Sequence, residues 1–413
     1  MNKELTTGNA PFRVHKSLLD AVINALSEIF CNDRKADKVL AEVLRSNKKW
    51  GSRDRGFIAE STYEIVRWWR LLNYINESSI EGEITSFQIK KVVGVWLKLQ
   101  GADLSAFKEY DKLSRAVLEK KYEEARTIRK VFHSIPDWLD EMGLAELGED
   151  DWLKELVAMN KTAPVTLRAN TLKNSREDLA AFLHNEGIET DFVKNVPTAI
   201  DLRKRQNVFI TNAFKEGRFE VQDGGSQLIG LMMGVTPGMR VIDACAGAGG
   251  KTLQLAAMME NKGQVIAMDT EEWKLEELKK RARRGGVHNI DSRPITGKVI
   301  KRLNESADRL LLDVPCSGLG TIRRNPDAKW KLKPLWIEEI KTVQQEIIQK
   351  YSTMLKVGGK MVYATCSILP SESENQVAVF LGKNPNFKLI EEKRTSTIKD
   401  GFDGFYMALI ERI

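Results

Sequence analysis

The carboxyl-terminal part of the chain, from Pro237 onward, repeats one pattern in which a short apolar segment is followed by a turn and a helical segment. This alternation is typical of an α/β fold in which a parallel sheet carries helices on both faces. The pattern predicts a doubly wound parallel sheet. Its predicted strands are 240–245, 264–269, 293–296, 309–314, 360–365, 387–391 and 405–410, and its predicted helices begin near Lys251, Glu271, Pro334 and Ser371.

Two regions with different hydrophobic patterns precede this sheet. Apolar residues at helical spacing predict an all-α domain over residues 1–133. After Pro136, an alternating segment and a helical segment predict a small α+β subdomain over residues 134–235. The α/β domain then occupies residues 236–413, and a chain of 413 residues is long enough for these three domains.

The first predicted strand runs into a glycine-rich turn and then a helix, in the segment Val241-Ile-Asp-Ala-Cys-Ala-Gly-Ala-Gly-Gly-Lys-Thr252. Glycines at such a turn let a ligand approach the backbone closely at the start of a helix. A phosphate-binding loop needs a glycine where this chain has Cys245, so the spacing disfavours a nucleoside-triphosphate site. It favours a turn that binds S-adenosylmethionine, with Asp243 near the end of the first strand.

Asp269 closes the second predicted strand, where a carboxylate is placed to accept hydrogen bonds from the ribose hydroxyls of a nucleoside cofactor. The alternative is structural, because Asp is a preferred N-cap residue and a predicted helix begins at Glu271. The sequence leaves both interpretations open.

Two cysteines follow predicted strands that are expected to be neighbours. Cys316 lies in Asp313-Val-Pro-Cys-Ser-Gly-Leu-Gly320, and Cys366 lies in Tyr363-Ala-Thr-Cys-Ser367. Because ligands of open α/β sheets bind at the carboxyl ends of the strands, we expect both thiols and Asp313 at one site. The alternatives are an inert core thiol for Cys366 and a small packing residue for Cys316.

This combination suits methylation of cytosine at carbon 5, which is a poor nucleophile until a thiolate adds at carbon 6. A free thiol is mostly protonated at neutral pH, so a cation such as Lys251 is expected to favour the thiolate. Asp313 is expected to hydrogen-bond the cytosine edge, and Cys316 is expected to assist product release.

Composition adds weaker indications. Lys and Arg number 64 against 57 Asp and Glu, a formal net charge of +7, which is compatible with a nucleic-acid partner. The four cysteines and four histidines are scattered, so neither a metal site nor a disulfide framework is predicted. No apolar run is long enough to span a membrane, and the polar residues 1–5 lack a signal-peptide pattern, so we expect a cytoplasmic protein.

Taken together, these motifs resemble those of the Nol/Nop/Sun (RsmB-like) family of S-adenosylmethionine-dependent RNA cytosine-5 methyltransferases, and most of all its bacterial small-subunit ribosomal RNA enzymes. Besides the glycine turn and the two cysteine motifs, the resemblance extends to segments 167–173, 221–227, 322–330 and 403–408. It implies a Rossmann-like class I methyltransferase sheet, parallel with one antiparallel strand. Much more weakly, the amino-terminal helices resemble a NusB-like RNA-binding domain.

The resemblance implies a role for each residue of the site. Cys366 would be the nucleophile and Cys316 the release residue, with Asp313 and Lys251 around the base. The implied cofactor contacts are Cys245, Ala246, Gly247, Ala248, Gly249, Gly250, Lys251, Asp269, Thr270, Gly297, Asp313 and Pro315.

The chain departs from the family pattern at two places. The glycine turn has Gly247 and Ala248 where the family usually has Ala-Pro, a mild change because backbone atoms make the contacts. The third predicted strand ends Ile295-Thr-Gly297 and lacks the acid that the family places near the adenine. Backbone groups of Thr270 or Gly297 are expected to replace it.

The expected partner is RNA, in the first place ribosomal RNA, and the protein is expected to be a monomer. The residues predicted to contact RNA are Arg168, Asn170, Arg323, Arg324 and Lys329, with Trp330 available to stack on an unpaired base. The alternative for each basic residue is an ion pair within the protein. Two other functions stay open, a transfer RNA methyltransferase and a non-catalytic RNA-binding assembly factor.

Overall fold

A computed structural model describes residues 12–413, so residues 1–5, used above in the signal-peptide argument, lie outside the described part. The strands are β1 (Phe12–Arg13), β2 (Ala102–Asp103), β3 (Thr166–Ala169), β4 (Thr190–Phe192), β5 (Ala199–Leu202), β6 (Phe219–Val221), β7 (Arg240–Asp243), β8 (Gln264–Asp269), β9 (Ile290–Pro294), β10 (Ala307–Asp313), β11 (Leu355–Thr365), β12 (Phe387–Arg394) and β13 (Tyr406–Arg412). The helices are α1 (Lys16–Phe30), α2 (Ala36–Ser46), α3 (Ser52–Arg67), α4 (Trp69–Ile75), α5 (Ser86–Leu99), α6 (Arg115–Ala125), α7 (Arg129–Phe132), α8 (Asp137–Met159), α9 (Arg176–Asn185), α10 (Asn212–Lys215), α11 (Gly224–Met232), α12 (Gly250–Met258), α13 (Glu272–Gly285), α14 (Gly297–Arg302), α15 (Ala328–Lys331), α16 (Pro334–Tyr351) and α17 (Glu374–Lys383).

The described residues form two compact units. The first contains residues up to 160 together with 322–333, and the second contains 161–321 and 334–413. The first unit therefore extends to residue 160, beyond the predicted helical domain of residues 1–133, and that predicted boundary stays a prediction. The unit extends this far because α8 packs with the helices before it: Asp140 accepts hydrogen bonds from Arg129 Nε and Nη2 at 3.1 and 3.0 Å.

The first unit is a helical domain built around one apolar core. Trp68 and Trp69 lie in that core, and each is 1% exposed. The segment 322–333 belongs to the same unit, where Trp330 packs against the core and its Nε1 donates a hydrogen bond to the Val66 carbonyl at 2.7 Å. None of the helices in the described part of the chain is long and apolar enough to cross a membrane.

The second unit contains two sheets. The larger one has the strand order β12-β13-β11-β10-β7-β8-β9, and β13 is antiparallel to both of its neighbours. The predicted mostly parallel sheet with one antiparallel strand is therefore confirmed. The smaller sheet is antiparallel with the order β4-β5-β3-β6, and it includes β5, which the sequence did not predict.

The strand order decides where the functional residues meet. The strands β11, β10, β7 and β8 are consecutive and parallel, so their carboxyl ends form one continuous edge. Asp313 at the end of β10 is paired with Ala364 in β11, which brings the segments after both strands to the same level. The sheet thus places the glycine turn, both cysteine segments and Asp269 along one edge.

Several predicted boundaries differ from the structure, and three of these differences have a physical reason that the structure shows. The strand β9 begins at Ile290 and not at residue 293, because it is an edge strand whose polar residues give no apolar run. The strand β11 begins five residues earlier than predicted and continues through Gly358, which adopts a φ of 74°. The helix α17 begins at Glu374 and not near Ser371, because the preceding residues form a short 3₁₀ turn whose acid faces the protein interior.

Candidate active site

Two sulfur atoms meet at the carboxyl ends of β10 and β11. The Sγ atoms of Cys316 and Cys366 are 3.1 Å apart, and the backbone N–H of Cys366 donates a hydrogen bond to the Cys316 sulfur at 3.2 Å. Both are free cysteines and both are half-buried. The expected meeting of the two thiols at one edge is confirmed.

The surroundings of Cys316 favour its neutral thiol. Its hydrogen bond with Cys366, its burial and the negative charge of Glu372 raise the pKa of Cys316 well above the usual thiol value, while a hydrogen bond from the Gly318 amide acts in the opposite direction. A thiol that keeps its proton is the donor of the pair. The Cys366 sulfur is then the acceptor, which is the arrangement that a nucleophilic thiolate needs.

Lys251 supplies a cation to this edge. Its Nζ lies 2.5 Å from Oδ2 of Asp313. Burial by itself lowers the pKa of Lys251, but the attraction of Asp313, Cys366 and Asp243 raises it overall. The ammonium therefore stays charged at neutral pH, where it can stabilise negative charge on the Cys366 sulfur and hold the Asp313 carboxylate in place.

The buried carboxylate of Glu372 is hydrogen-bonded to both cysteine segments. Glu372 is 0% exposed, and its Oε2 accepts hydrogen bonds from the hydroxyls of Ser317 and Ser367, both at 2.5 Å. Its Oε1 accepts from the Ser317 amide at 2.7 Å and from Nε2 of Gln344 at 3.2 Å. Because each serine directly follows one of the cysteines, this single side chain fixes the separation of the two sulfurs.

A close backbone approach also joins these segments. The Gly320 amide donates to the Cys366 carbonyl at 2.9 Å, and the Gly404 amide donates to the Gly320 carbonyl at 2.9 Å. A Cβ atom at Gly320 would lie 1.8 Å from the Gly404 carbonyl oxygen. Only glycine fits this position, so the backbone contributes to the same alignment.

The glycine turn between β7 and α12 is held in an open conformation. Gly247 and Gly249 have φ values of 53° and 87°, which favour glycine. A Cβ atom at Gly247 would meet nothing within 4 Å, so this stretch of backbone faces free space that a ligand can occupy. Arg168 and Arg281 support the turn from behind, since they donate to the carbonyls of Gly250 at 2.6 Å and Ala248 at 2.7 Å.

Asp269 is tied to that turn. Its Oδ2 accepts from the Gly247 amide at 2.9 Å and its Oδ1 accepts from the Glu271 amide at 2.9 Å. The N-cap residue of α13 is Glu271. The Asp269 carboxylate therefore accepts a hydrogen bond within the turn that precedes α13 and does not cap the helix. Its role as a ribose acceptor stays a prediction.

One carboxylate oxygen of Asp243, Oδ1, is a buried hydrogen-bond acceptor without a well-placed donor among the described residues. Its Oδ2 accepts from Thr252 Oγ1 at 2.7 Å, while Oδ1 lies near the Cys245 amide without a hydrogen bond of good geometry among the described residues. Burial raises the pKa of Asp243 to about 7, with Asp313 contributing and Thr252 opposing. A buried acceptor without a donor indicates a missing polar partner.

The charges around the turn fit S-adenosylmethionine, which carries a sulfonium and an ammonium group. After burial, the carboxylates of Asp243, Asp313 and Asp269 are the groups that raise the pKa of the Cys245 thiol well above its usual value. Three acids therefore surround one turn. When bound there, the cofactor would supply the electrophilic methyl group.

Three of the predicted cofactor contacts are exposed residues outside this group of three acids. Thr270 and Gly297 are exposed, and Gly297 is the first residue of α14. Pro315 is exposed and its carbonyl accepts from Nε2 of Gln344 at 3.0 Å. These contacts, including the recognition of adenine, stay predictions. Among residues 12–413, no group of His, Cys, Asp and Glu is arranged to hold a metal ion.

The predicted RNA contacts in the small α+β subdomain need correction. Arg168 is 4% exposed, and it donates to Gln222 as well as to the Gly250 carbonyl. Asn170 is 8% exposed, and its Nδ2 donates to the carbonyls of Gly217 and Gly285, both at 2.8 Å. Because their polar groups are used inside the protein, both residues are structural and cannot reach RNA.

Two of the predicted RNA contacts in segment 322–333, Arg323 and Lys329, are wrong because both residues are buried. Lys329 is 0% exposed, and its Nζ donates to the Arg67 carbonyl at 2.8 Å and to Oδ1 of Asn160 at 3.2 Å. Burial, followed by the charge of Arg67, lowers the pKa of Lys329 well below its usual value. Arg323 is 5% exposed and Trp330 belongs to the helical core, whereas Arg324 is half-buried and its RNA contact stays a prediction.

Glu372 is the residue that the sequence argument missed. The run Ser371-Glu-Ser-Glu374 is typical of the acidic start of a helix, where carboxylates are stabilised by the helix dipole. A signal was nevertheless present, because each cysteine motif has a serine directly after its cysteine. Ser317 and Ser367 at one edge, with Glu372 five residues after the second serine, can form one hydrogen-bonded group.

The chain is similar to known methyltransferases. Residues 231–409 match the family described as 16S rRNA methyltransferase RsmB/F, and residues 135–209 match the ferredoxin-like domain of RsmF/B-like methyltransferases. The chain is 33% identical over 323 residues to the ribosomal RNA small subunit methyltransferase B of Pasteurella multocida (strain Pm70), which covers 73% of this chain and 71% of that protein. It is 31% identical over 300 residues to a probable ribosomal RNA small subunit methyltransferase B from Synechocystis sp., with coverage of 68% and 67%.

Solved structures share the fold. The crystal structure of PH0851 matches with a TM-score of 0.82 and 24% identity, and it covers 97% of this chain and 100% of that chain. A methyltransferase homolog protein from Pyrococcus horikoshii matches with a TM-score of 0.62 and 26% identity, covering 69% and 98%. The family model and the curated relatives confirm a methyltransferase, which supports S-adenosylmethionine as its cofactor. The chain therefore belongs to the RsmB/F family of methyltransferases.

Proposed function

We propose that this protein transfers a methyl group from S-adenosylmethionine to carbon 5 of a cytosine in small-subunit ribosomal RNA. The observation that carries the proposal is the 3.1 Å approach of the Cys316 and Cys366 sulfurs beside the ion pair of Lys251 and Asp313. The names of the curated relatives support ribosomal RNA as the substrate class. We expect the protein to act in the cytoplasm as a monomer.

Cys366 begins the reaction as the nucleophile. Its thiolate adds to carbon 6 of the cytosine, and the electron pair of the ring double bond becomes available at carbon 5. The ammonium of Lys251 favours the thiolate before the attack, and Cys316 donates a hydrogen bond to the same sulfur. The target base has to be unpaired to reach both sulfur atoms.

Asp313 orients the base. Its Oδ2 is occupied by Lys251 at 2.5 Å, which leaves the other carboxylate oxygen for the exocyclic amino group of cytosine. Because Lys251 packs against this carboxylate, the ion pair is held in a fixed position beside the base. A fixed acceptor holds carbon 5 towards the methyl group that the cofactor supplies.

Cys316 completes the cycle. After methyl transfer the proton on carbon 5 must be removed, and the electron pair that it leaves behind expels the Cys366 sulfur from carbon 6. We assign the removal of this proton to Cys316, because its sulfur lies next to that of Cys366. Cys316 enters this step as a thiolate. Once the Cys366 sulfur is bonded to carbon 6, it no longer accepts the hydrogen bond that raises the Cys316 pKa, so the Cys316 proton passes to water before its sulfur takes the carbon 5 proton.

The proposal is tested by incubating the protein with labelled S-adenosylmethionine and either small-subunit ribosomal RNA or transfer RNA. We expect label only in the ribosomal RNA and only as 5-methylcytosine, with the position read by sequencing. Label at another atom of the base would contradict the cysteine chemistry. Label in transfer RNA alone would replace the substrate, and binding without any transfer would indicate a non-catalytic assembly factor.

A further inference from the structure

A concave surface of the second unit is lined almost entirely by cations. Its residues, here called the basic cleft, are Lys173, Lys215, Glu216, Arg218, Arg283 and Arg284. Five of these six side chains are positively charged and one is negatively charged. None of them contributes to the site around Cys366.

The basic cleft is rigidly built. Lys173 Nζ donates to the carbonyls of Glu216 at 2.5 Å and Arg284 at 2.9 Å, which lie at the carboxyl ends of α10 and α13. A Cβ atom at Gly217 would lie 2.1 Å from the Arg284 carbonyl oxygen, so the two ends are in direct contact. Asn170 bridges the same ends through its two hydrogen bonds. The cations are therefore held at fixed places on one surface.

The positive charge of the basic cleft is only partly neutralised. Arg218 pairs with Glu216 at 2.7 Å, and Arg284 pairs with the buried Glu220. Lys215 and Arg283 are exposed, and neither has a carboxylate within ion-pair distance in the described part of the chain. Such an excess of cations attracts an anion.

An aromatic platform adjoins these cations. The Arg284 guanidinium lies 3.9 Å from the centre of the Phe214 ring, and the Phe214 and Phe209 rings are 5.0 Å apart. Phe209 is 56% exposed, which leaves a large apolar face in water. Cations with a neighbouring exposed aromatic ring are the combination that binds single-stranded nucleic acid, because the cations hold phosphates and the ring stacks on a base.

We propose that the basic cleft and Phe209 form a contact surface for a single-stranded segment of RNA, separate from the site that receives the target base. The proposal rests on the proposed function for the identity of the RNA, which would be a segment of the substrate outside the target nucleotide. A free phosphate or an acidic peptide would use the cations but would leave Phe209 without a partner. The exposed ring therefore favours RNA.

The first test measures binding of an unstructured single-stranded RNA oligonucleotide to the full chain at several salt concentrations. Each phosphate contact contributes about 0.7 to the slope of log affinity against log salt. The double variant Lys215→Glu/Arg283→Glu should lower this slope by about 1.4 and weaken binding about tenfold at low salt. The control Lys383→Glu/Lys388→Glu makes the same change of charge at two exposed lysines outside the cleft and should leave the slope unchanged. Equal effects in both double variants would overturn the proposal.

The second test concerns the aromatic ring. Phe209→Ala should weaken RNA binding about fivefold or more without changing the salt slope, because stacking carries no charge. Phe209→Trp should restore the affinity. Unchanged affinity in Phe209→Ala, together with displacement of the RNA by millimolar inorganic phosphate, would show a simple anion site and overturn the proposal.

The two proposals fail in different ways. If the double variant loses RNA binding while the wild-type protein forms no 5-methylcytosine, the proposed function fails and the basic cleft stands. If the wild-type protein methylates RNA and the double variant binds RNA with unchanged slope and affinity, the basic cleft fails and the proposed function stands. Unchanged affinity for S-adenosylmethionine in the double variant shows that the catalytic edge is intact.

Discussion

The two cysteine segments and the segment 322–333 make an instructive comparison, because sequence motifs predict that residues of both contact the RNA. The cysteines meet at a sulfur separation of 3.1 Å, as expected. In contrast, Arg323 and Lys329 are buried in the helical unit, where Lys329 donates to backbone and side-chain oxygens.

The difference shows which residue positions a sequence motif can predict. A residue that follows a parallel strand has its place fixed by the sheet, because all carboxyl ends of the strands lie at one edge. A basic residue in a connecting segment has no such constraint, and its neighbours are decided by a distant part of the chain. Lys329 finds its partners at Arg67 and Asn160, which no local pattern reveals.

The largest effect that tests this comparison is expected for Cys366→Ala. Without the sulfur no adduct forms at carbon 6, so methyl transfer should fall by about 10⁴-fold or more. The measurement is the initial rate with labelled cofactor under single-turnover conditions, and Cys31→Ala is the matched control at an exposed cysteine outside the site. Retained transfer in Cys366→Ala would return this thiol to a packing role.

An intermediate effect is expected for Glu372→Gln. The amide keeps the size of the side chain, but it lacks one of the two acceptors that bind Ser317 and Ser367 and removes one of the charges that raise the Cys316 pKa. We expect kcat to fall about 10- to 100-fold with little change in KM, since the sulfurs lose their alignment. Alkylation of Cys316, followed in a Cys366→Ser background, should begin at lower pH.

The control for this prediction is Glu374→Gln, which changes the partly exposed acid that pairs with Arg394. It should leave both kcat and the alkylation profile close to the wild-type values. If Glu372→Gln lowers only thermal stability and leaves the alkylation profile of Cys316 unchanged, Glu372 is a folding residue and does not position the sulfurs.

A smaller effect is expected from the protonation of Asp243, whose pKa is raised to about 7. The ionised carboxylate attracts the cationic cofactor, and the fraction ionised rises with pH. Affinity for S-adenosylmethionine should therefore increase about tenfold between pH 6 and pH 8. Calorimetric titration checks this, and Asp243→Asn should remove the increase. An identical increase in the variant would assign it to another group.

The smallest effect on RNA binding is expected for Lys329→Met. The variant leaves the Arg67 carbonyl and Asn160 Oδ1 without their donor, so the free energy of unfolding should fall by about 1–3 kcal/mol. The salt slope of RNA binding should not change. The opposite result, a slope smaller by about 0.7 with unchanged stability, would restore Lys329 as a phosphate contact.

The sequence was most informative where local pattern and sheet topology agree. The strand 264–269 was predicted with the bounds that the structure shows, because its apolar run lies inside the sheet. The edge strand β9 was misplaced by three residues, because an edge strand keeps polar side chains. The fold class was therefore predictable, whereas the limits of exposed elements were not.

The candidate site was predictable only in part, for a related reason. The cysteines and Asp313, which we propose contact the target base, lie at or just after the ends of strands, and the sequence places them at one edge. Residues that act from a distance, such as Glu372 below the sulfurs and Arg168 behind the glycine turn, depend on long-range contacts. The same holds for the basic cleft, whose cations come from three separate segments and meet only in the folded chain.

The most direct test of the two-cysteine account is the covalent adduct in Cys316→Ala. This variant should form the bond from Cys366 to carbon 6 and should fail to release it, so a protein–RNA adduct accumulates that survives denaturation. Mass spectrometry of the digested adduct should place a methylated cytosine on Cys366. An adduct that accumulates in Cys366→Ala through Cys316, or none in Cys316→Ala while methyl transfer continues, would contradict the account.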